Sequence, residues 1–148
     1  MYKHILVPTD GSKLSRKAVK AAARLAKVVG AKLTGAYVTT PYTPAMYGEA
    51  AVYVPAMSPV RFKEMAEKEA NNALAMVEAE ARAAGIKWAT ASTTNSQPWQ
   101  GIIKLAGAKK CDLIVMASHG RSGLSGLLLG SETIKVLTHS KIPVLVYR

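Results

Sequence analysis

Residues able to hold an anion concentrate between Asp112 and Leu137, in the run DLIVMA-SHGRSGLSGLLLGS-ETIKVL. An apolar, strand-like stretch stops at the small residue Ala117, a Gly/Ser-rich loop follows, and a helical pattern begins at Gly130-Ser131. This is the sequence form of a backbone cradle for phosphate. Glycines permit tight turns and close approach of N–H groups, and a helix start adds unpaired N–H groups and the positive end of its dipole. A second polar group, Pro8-Thr9-Asp10-Gly11-Ser12, follows the first apolar run. If the two groups face one crevice, one side offers a carboxylate and hydroxyls and the other a phosphate nest, a division that suits a nucleotide.

Each of these residues also has a quieter reading. Asp10 either supports the turn into the next helix, or accepts hydrogen bonds from ribose hydroxyls or holds a Mg²⁺ ion near the phosphates. Gly120 and Gly123 can be ordinary turn glycines, and Gly130-Ser131 only a helix start. Arg121 pairs with phosphate or sits in solvent, and His119 is a loop residue that could touch ligand. Several chemistries lack their pattern. The loop has no G-K-[ST] ending, and G-x-G-x-x-G does not follow the first strand. No nucleophile elbow, Ser-His-Asp arrangement or suggestive carboxylate pair is present. The single cysteine, Cys111, rules out an internal disulfide and reads as a small, half-buried apolar side chain. It forms no zinc-ligand spacing with His4, His119 or His139.

The elements that must position these groups can be read from the hydrophobic pattern. A strand over His4 to Pro8 leads into a helix from Lys13 to about Val29, with Ser12 as N-cap and Gly30 as its end. Leu14, Ala18, Ala21, Ala22, Leu25 and Val29 form that helix's apolar stripe. Strand two covers Lys32 to Thr39. Thr40 to Pro59 has no clean period and reads as a long loop, of the kind used as a lid or interface. A helix from about Val60 to Ala84 follows, with Phe62, Ala66, Ala70, Ala73, Leu74, Val77 and Ala81 as core candidates. Strand three spans Lys87 to Thr93, and a third helix runs from Pro98 to Lys109-Lys110. Strand four spans Asp112 to Ala117, helix four Ser131 to about Ser140, and strand five Pro143 to Tyr147. Strict β-α alternation predicts a single-domain, open, doubly wound parallel sheet with helices on both faces. Ligands in such sheets bind beyond the C-terminal strand ends, where strand order reverses.

Composition agrees with one globular domain over residues 1–148: the chain is 49% hydrophobic and 20% charged. No apolar run reaches the roughly 18 residues that span a bilayer. The N-terminus lacks a secretory pattern, so the expectation is a soluble cytoplasmic protein without a membrane partner. Lys and Arg number 20 against 9 Asp and Glu, a formal charge of +11, which attracts polyanions. Part of that charge lies on the first helix, where Lys13, Arg16, Lys17, Lys20, Arg24 and Lys27 recur opposite the apolar stripe. They read as a solvated face, or as a surface for an acidic protein, polyphosphate or nucleic acid. No interleaved aromatics support specific reading of nucleic acid.

The chain resembles the universal stress protein family over nearly its whole length. The residues that carry the resemblance are Tyr2 to Ser12, Asp112 to Met116, Ser118 to Leu124, Leu128 to Ser131, and Pro143 to Val146. The resemblance implies strand order 3-2-1-4-5, with strands one and four side by side. The family's ATP-binding branch carries G-x-x-G-x9-G-[ST]. Here Ala117 stands at the first glycine, followed by Gly120, nine residues, and Gly130-Ser131. By resemblance, Pro8, Thr9, Asp10 and Val38 line the adenine and ribose side, Met116 and Ala117 border it, and Gly120, Gly130, Ser131 and the N–H of Glu132 meet phosphates. Glu132 replaces a commonly small apolar residue. Its carboxylate favours a helix N-terminus but competes with a triphosphate. With these two departures ATP, AMP and no nucleotide all stay open. The resemblance also implies a homodimer through the last strand, residues 143–147.

Three readings follow. The first is a dimeric regulatory module that binds ATP or AMP, with at most slow hydrolysis because no residue stands out as a base. The second is a stress protein with a vestigial pocket, acting through its dimer and basic face. The third is a true ATPase or phosphotransferase.

Overall fold

The computed structural model describes residues 1–43, 58–120 and 129–148. Among them the chain alternates β1 (His4–Pro8), α1 (Lys13–Val29), β2 (Lys32–Thr39), α2 (Pro59–Ala84), β3 (Trp88–Thr94), α3 (Pro98–Ala108), β4 (Leu113–Ala117), α4 (Ser131–His139) and β5 (Val144–Tyr147). The strands form one parallel sheet in the order β3-β2-β1-β4-β5. The fold class and strand order are those expected. Most of the expected long loop, Thr40 to Pro59, lies outside the described residues, as do Arg121 and Gly123.

Alternation of side chains along a strand divides the core in two. Ile5, Val7, Leu113 and Val115 point to one face, where α1 contributes Val19, Ala22 and Ala26 and α2 contributes Val77 and Ala81. Leu6, Ile114 and Met116 point to the other, where they meet Ile102, Leu105 and Ala106 of α3 and Val136 of α4. The central strands are buried on both faces, as parallel strands under two helical layers must be. Close approach is needed where α2 crosses the sheet: a Cβ built on Gly35 would lie 2.8 Å from Val77 Cγ1.

Two expected stripes are displaced. The buried face of α1 consists of Ser15, Ala18, Val19, Ala22, Ala23 and Ala26, while Leu14, Ala21, Leu25 and Val29 are only partly covered. Small residues let the helix sit close to the sheet, and Ser15 is drawn inward by the Thr9 hydroxyl, 3.0 Å away. In α2 the buried set begins at Ala70; Phe62 and Ala66 stay half-exposed, and Phe62 instead meets the Tyr42 ring edge to face.

Asp112, expected in the fourth strand, lies just before it. Its carboxylate accepts the N–H groups of Lys3 (2.8 Å) and His4 (3.0 Å), which fastens the start of β1 to the start of β4. Burial pushes this carboxyl up, but the amides of His4 and Lys3 and its own outweigh that and hold it below the usual range. Cys111 is more deeply buried than expected, and burial pushes its thiol up to about 11. Among the described residues no helix is long and apolar enough to cross a membrane.

Candidate functional site

Parallel pairing of β1 with β4 brings the segments after both strands to one end of the sheet. Between them lies a cavity of about 470 Å³, within the usual range for small-molecule sites. Pro8, Thr9, Asp10, Val38, Met116, Ala117, Gly120, Gly130, Ser131 and Glu132 all line it. The site residues expected from the sequence are thus brought together, apart from Arg121, which lies outside the described residues. Ser15, Ala36, Tyr37, Pro98, Ile102, His119 and Thr133 complete the wall. Sequence reading weighed only His119 of these. Ala36 and Tyr37 sit at the C-terminal half of β2, and Pro98 and Ile102 on the first turns of α3. Their position at that end of the sheet was the available signal.

The first wall is a network of short-range turns. Asp10 Oδ1 accepts the Ser12 N–H at 3.0 Å, and Thr9 Oγ1 accepts the Gly11 N–H at 3.2 Å. Ser12 then caps α1 by accepting the Ser15 N–H. Gly11 has φ of 79°, a left-handed conformation that favours glycine. Asp10 therefore does support the turn. Its Oδ2 also comes so close to Gly120 that a Cβ built there would lie 2.7 Å away. Glycine at position 120 provides room for the carboxylate.

The opposite wall is held by the end of β4. The Gly130 N–H donates to the Ser118 carbonyl at 2.7 Å, and the Thr133 hydroxyl donates to the carbonyls of Ala117 (3.0 Å) and Ser118 (3.2 Å). These bonds fix the first turn of α4 across the strand end. No side chain caps this helix: its N-cap is Gly130 with φ of −70°. A Cβ at Gly130 would press within 3.2 Å of the Ser118 carbonyl oxygen. His119 lies beside it, with Nδ1 3.0 Å from Ser118 Oγ. Its Nε2 is buried and has no hydrogen-bond partner among the described residues. A buried polar atom left unpaired is costly, and the residue that carries it lines the cavity.

Ala117 sits in regular strand, paired with Tyr147, and is not among the residues with positive φ. The backbone there has no need of glycine, so only the alanine methyl matters to a ligand. Glu132 does not stand as an isolated charge over the cradle. Its Oε2 accepts the Trp99 N–H at 2.8 Å, and its Oε1 pairs with Lys135 Nζ at 3.0 Å. Gln97, the N-cap of α3, makes no side-chain cap bond, so Glu132 serves as a cap for α3 from another helix. The N-termini of α3 and α4, both positive dipole ends, consequently border the same cavity. Among the described residues no group of three His, Cys, Asp or Glu is placed to hold a metal ion.

Comparison with known proteins places this geometry. A family model described as the universal stress protein family matches residues 1–148. The universal stress protein MJ0531 of Methanocaldococcus jannaschii is 34% identical over 151 residues, covering 100% of this chain and 83% of that protein. The solved structure of MJ0577, from the same organism, superposes with a TM-score of 0.79 at 28% identity, covering 99% of this chain and 95% of that one. A universal stress protein solved in complex with cAMP superposes with a TM-score of 0.70 at 29% identity, covering 99% and 97%.

If Glu132 caps α3, Glu132→Ala will lower unfolding stability by about 1–2 kcal/mol in urea titrations. Glu132→Gln, which keeps an acceptor for Trp99, will lose less than half as much. Equal losses in the two variants would show that the Trp99 bond is not what matters.

Proposed function

The chain belongs to the universal stress protein family, and from that premise we propose that it is an adenine-nucleotide-binding regulatory protein, taking ATP or AMP in the crevice between β1 and β4. One observation carries this reading. The cavity joins an apolar wall to an uncapped helix start, and its lining includes His119, whose Nε2 is buried without a hydrogen-bond partner among the described residues. Val38, Met116 and Ile102 offer an apolar surface for the base. Asp10 and Thr9 stand where ribose hydroxyls would donate or accept. The N–H groups of Gly120, Ser131 and Glu132, with His119 Nε2, would meet phosphate oxygens through backbone and ring donors. Arg121, outside the described residues, would add its charge to the phosphate side. The solved relative bound to cAMP supports an adenylate in this fold. A Mg²⁺ ion arriving with the phosphates would find Asp10 as its protein carboxylate, since that ion is usually held by one or two carboxylates plus phosphate oxygens and water. Asp10 Oδ1 already supports the Ser12 turn, and the one hydroxyl–imidazole pair beside the crevice among the described residues, Ser118 Oγ with His119 Nδ1, has its hydroxyl buried and outside the cavity lining. Binding rather than turnover is therefore the proposed activity, with nucleotide state read out by the surrounding loops.

The proposed assembly is a homodimer through residues 143–147. β5 is an edge strand, Leu145 on it is 41% exposed, and Ile134 and Leu137 of α4 are also exposed. Antiparallel pairing with a second copy would cover that open edge.

Calorimetry on ligand-stripped protein will give saturable heat with ATP or AMP, and Gly130→Val will weaken that binding at least about tenfold, or 1.4 kcal/mol, while the melting temperature confirms folding. No heat with any adenine nucleotide would remove the reading. Light scattering on the full chain will report a dimer, and Leu145→Lys will shift it toward monomer. A wild-type chain that remains monomeric at micromolar concentration would remove the proposed interface.

A further inference from the structure

The exposed face of α1 lies outside the crevice, touching its first wall through Arg16 Nε, which donates to the Gly11 carbonyl at 3.2 Å, and has an unusual composition. Lys13, Arg16, Lys17, Lys20, Arg24 and Lys27 are all exposed. At 3.6 residues per turn they fall within an arc of roughly 100°. No other residue of α1 lies in that arc. Along the axis the row extends about 21 Å, or roughly one cation every 4 Å, at a rise of 1.5 Å per residue. The helix contains no acidic residue. The ion pairs found among the described residues, Lys63–Glu67, Arg82–Glu78 and Lys135–Glu132, use none of the six. The row is also rigid, because the opposite side of α1 is packed on β1 and β4 through Ala18, Val19, Ala22 and Ala26. Like charges held this close repel one another, and a counter-charge of similar length relieves that repulsion.

We infer that this row is a docking surface for the phosphate backbone of double-stranded nucleic acid, bound without sequence preference. The chemistry of the arc selects that partner. A stable protein interface needs aromatic or apolar anchors at its centre, and the arc has none. A membrane-surface helix needs a continuous exposed apolar face, whereas on α1 Val28 is the single exposed large apolar residue and Leu14, Leu25 and Val29 are partly covered. Single strands are held by stacking on aromatic side chains, which are absent from the helix. Base reading needs side chains that reach into a groove, and a packed helix presenting one cationic arc has only contacts to the backbone. On each strand a duplex carries a charge about every 3.4 Å of its axis, close to the spacing of the row. The surface is separate from the nucleotide crevice, and its test does not depend on nucleotide binding.

Fluorescence anisotropy of the full chain with a labelled duplex of mixed sequence tests the inference. The slope of log affinity against log salt should approach about −5 between roughly 50 and 200 mM, the value for six neutralised phosphates. The triple variant Lys17→Gln/Lys20→Gln/Arg24→Gln should reduce that slope to about half and weaken binding at least tenfold at low salt, on the order expected from three lost phosphate contacts. The variant Lys104→Gln/Lys109→Gln/Lys141→Gln carries the same net charge and removes exposed cations elsewhere; it should keep the wild-type slope. Melting temperatures confirm that both variants are folded. Equal losses in the two variants would show that net charge alone is responsible and would overturn the proposal. So would absence of binding at low salt, tighter binding of a single strand of equal length, or complete displacement by polyglutamate at matched charge, which would assign the face to an acidic protein.

Discussion

Parallel pairing of β1 with β4 is the constraint from which the architecture of the crevice follows. Ile5 and Leu6 register with Leu113 and Ile114, although more than a hundred residues separate the two strands. At one end of the pair, the Asp112 carboxylate accepts two amides of β1's first residues. At the other, the strand ends open toward each other because the chain leaves β1 for α1 and leaves β4 for α4, on opposite faces of the sheet. A crevice is the geometric result of that reversal. Its two walls are built separately, by the Thr9–Asp10–Ser12 turn and by the bonds from Gly130 and Thr133 to the end of β4. The strand pairing sets the distance between them, and Asp10 Oδ2 lies against Gly120 across the gap.

Electrostatics then give the crevice a sign. Two helix N-termini border it, and the carboxylate best placed to oppose them is already engaged: Glu132 is shared between the Trp99 amide and Lys135. A charge that looked in the sequence like a competitor for phosphate is in the structure a fastening between α4 and α3. Its net effect is to keep α3, with Pro98 and Ile102, against the cavity wall. The glycines have equally specific tasks. Gly11 supplies a left-handed turn, whereas Gly120 and Gly130 supply space beside Asp10 and the Ser118 carbonyl.

Much of this was legible in the sequence because it depends on local pattern. Apolar runs such as Ile5-Leu6-Val7 and Leu113 to Met116, each ending in small polar residues, mark strands and the loops beyond them. The Gly/Ser run ahead of Ser131 marks a helix start. What was not legible depends on partners distant in sequence. Trp99 and Glu132 are 33 residues apart, and neither residue type announces the bond. Ser15 is polar yet buried, because Thr9 lies beneath it, so the apolar stripe alone misplaced the inner face of α1. Phe62 and Ala66 fit a helical period but lie on the half of α2 before its buried set begins at Ala70. Periodicity shows which side of a helix is apolar; how much of its length meets the sheet is set by tertiary packing.

The central claim is that amides after β4 and at the start of α4 converge with His119 on one anion. Titrating AMP into isotopically labelled protein and following the ¹⁵N–¹H spectrum addresses it directly. The account predicts that the largest shifts occur at the amides of Gly120, Ser131 and Glu132 and at the His119 ring nitrogens, saturating together with one affinity. Saturable binding whose shifts cluster elsewhere, with those amides and the His119 ring unmoved, would contradict it.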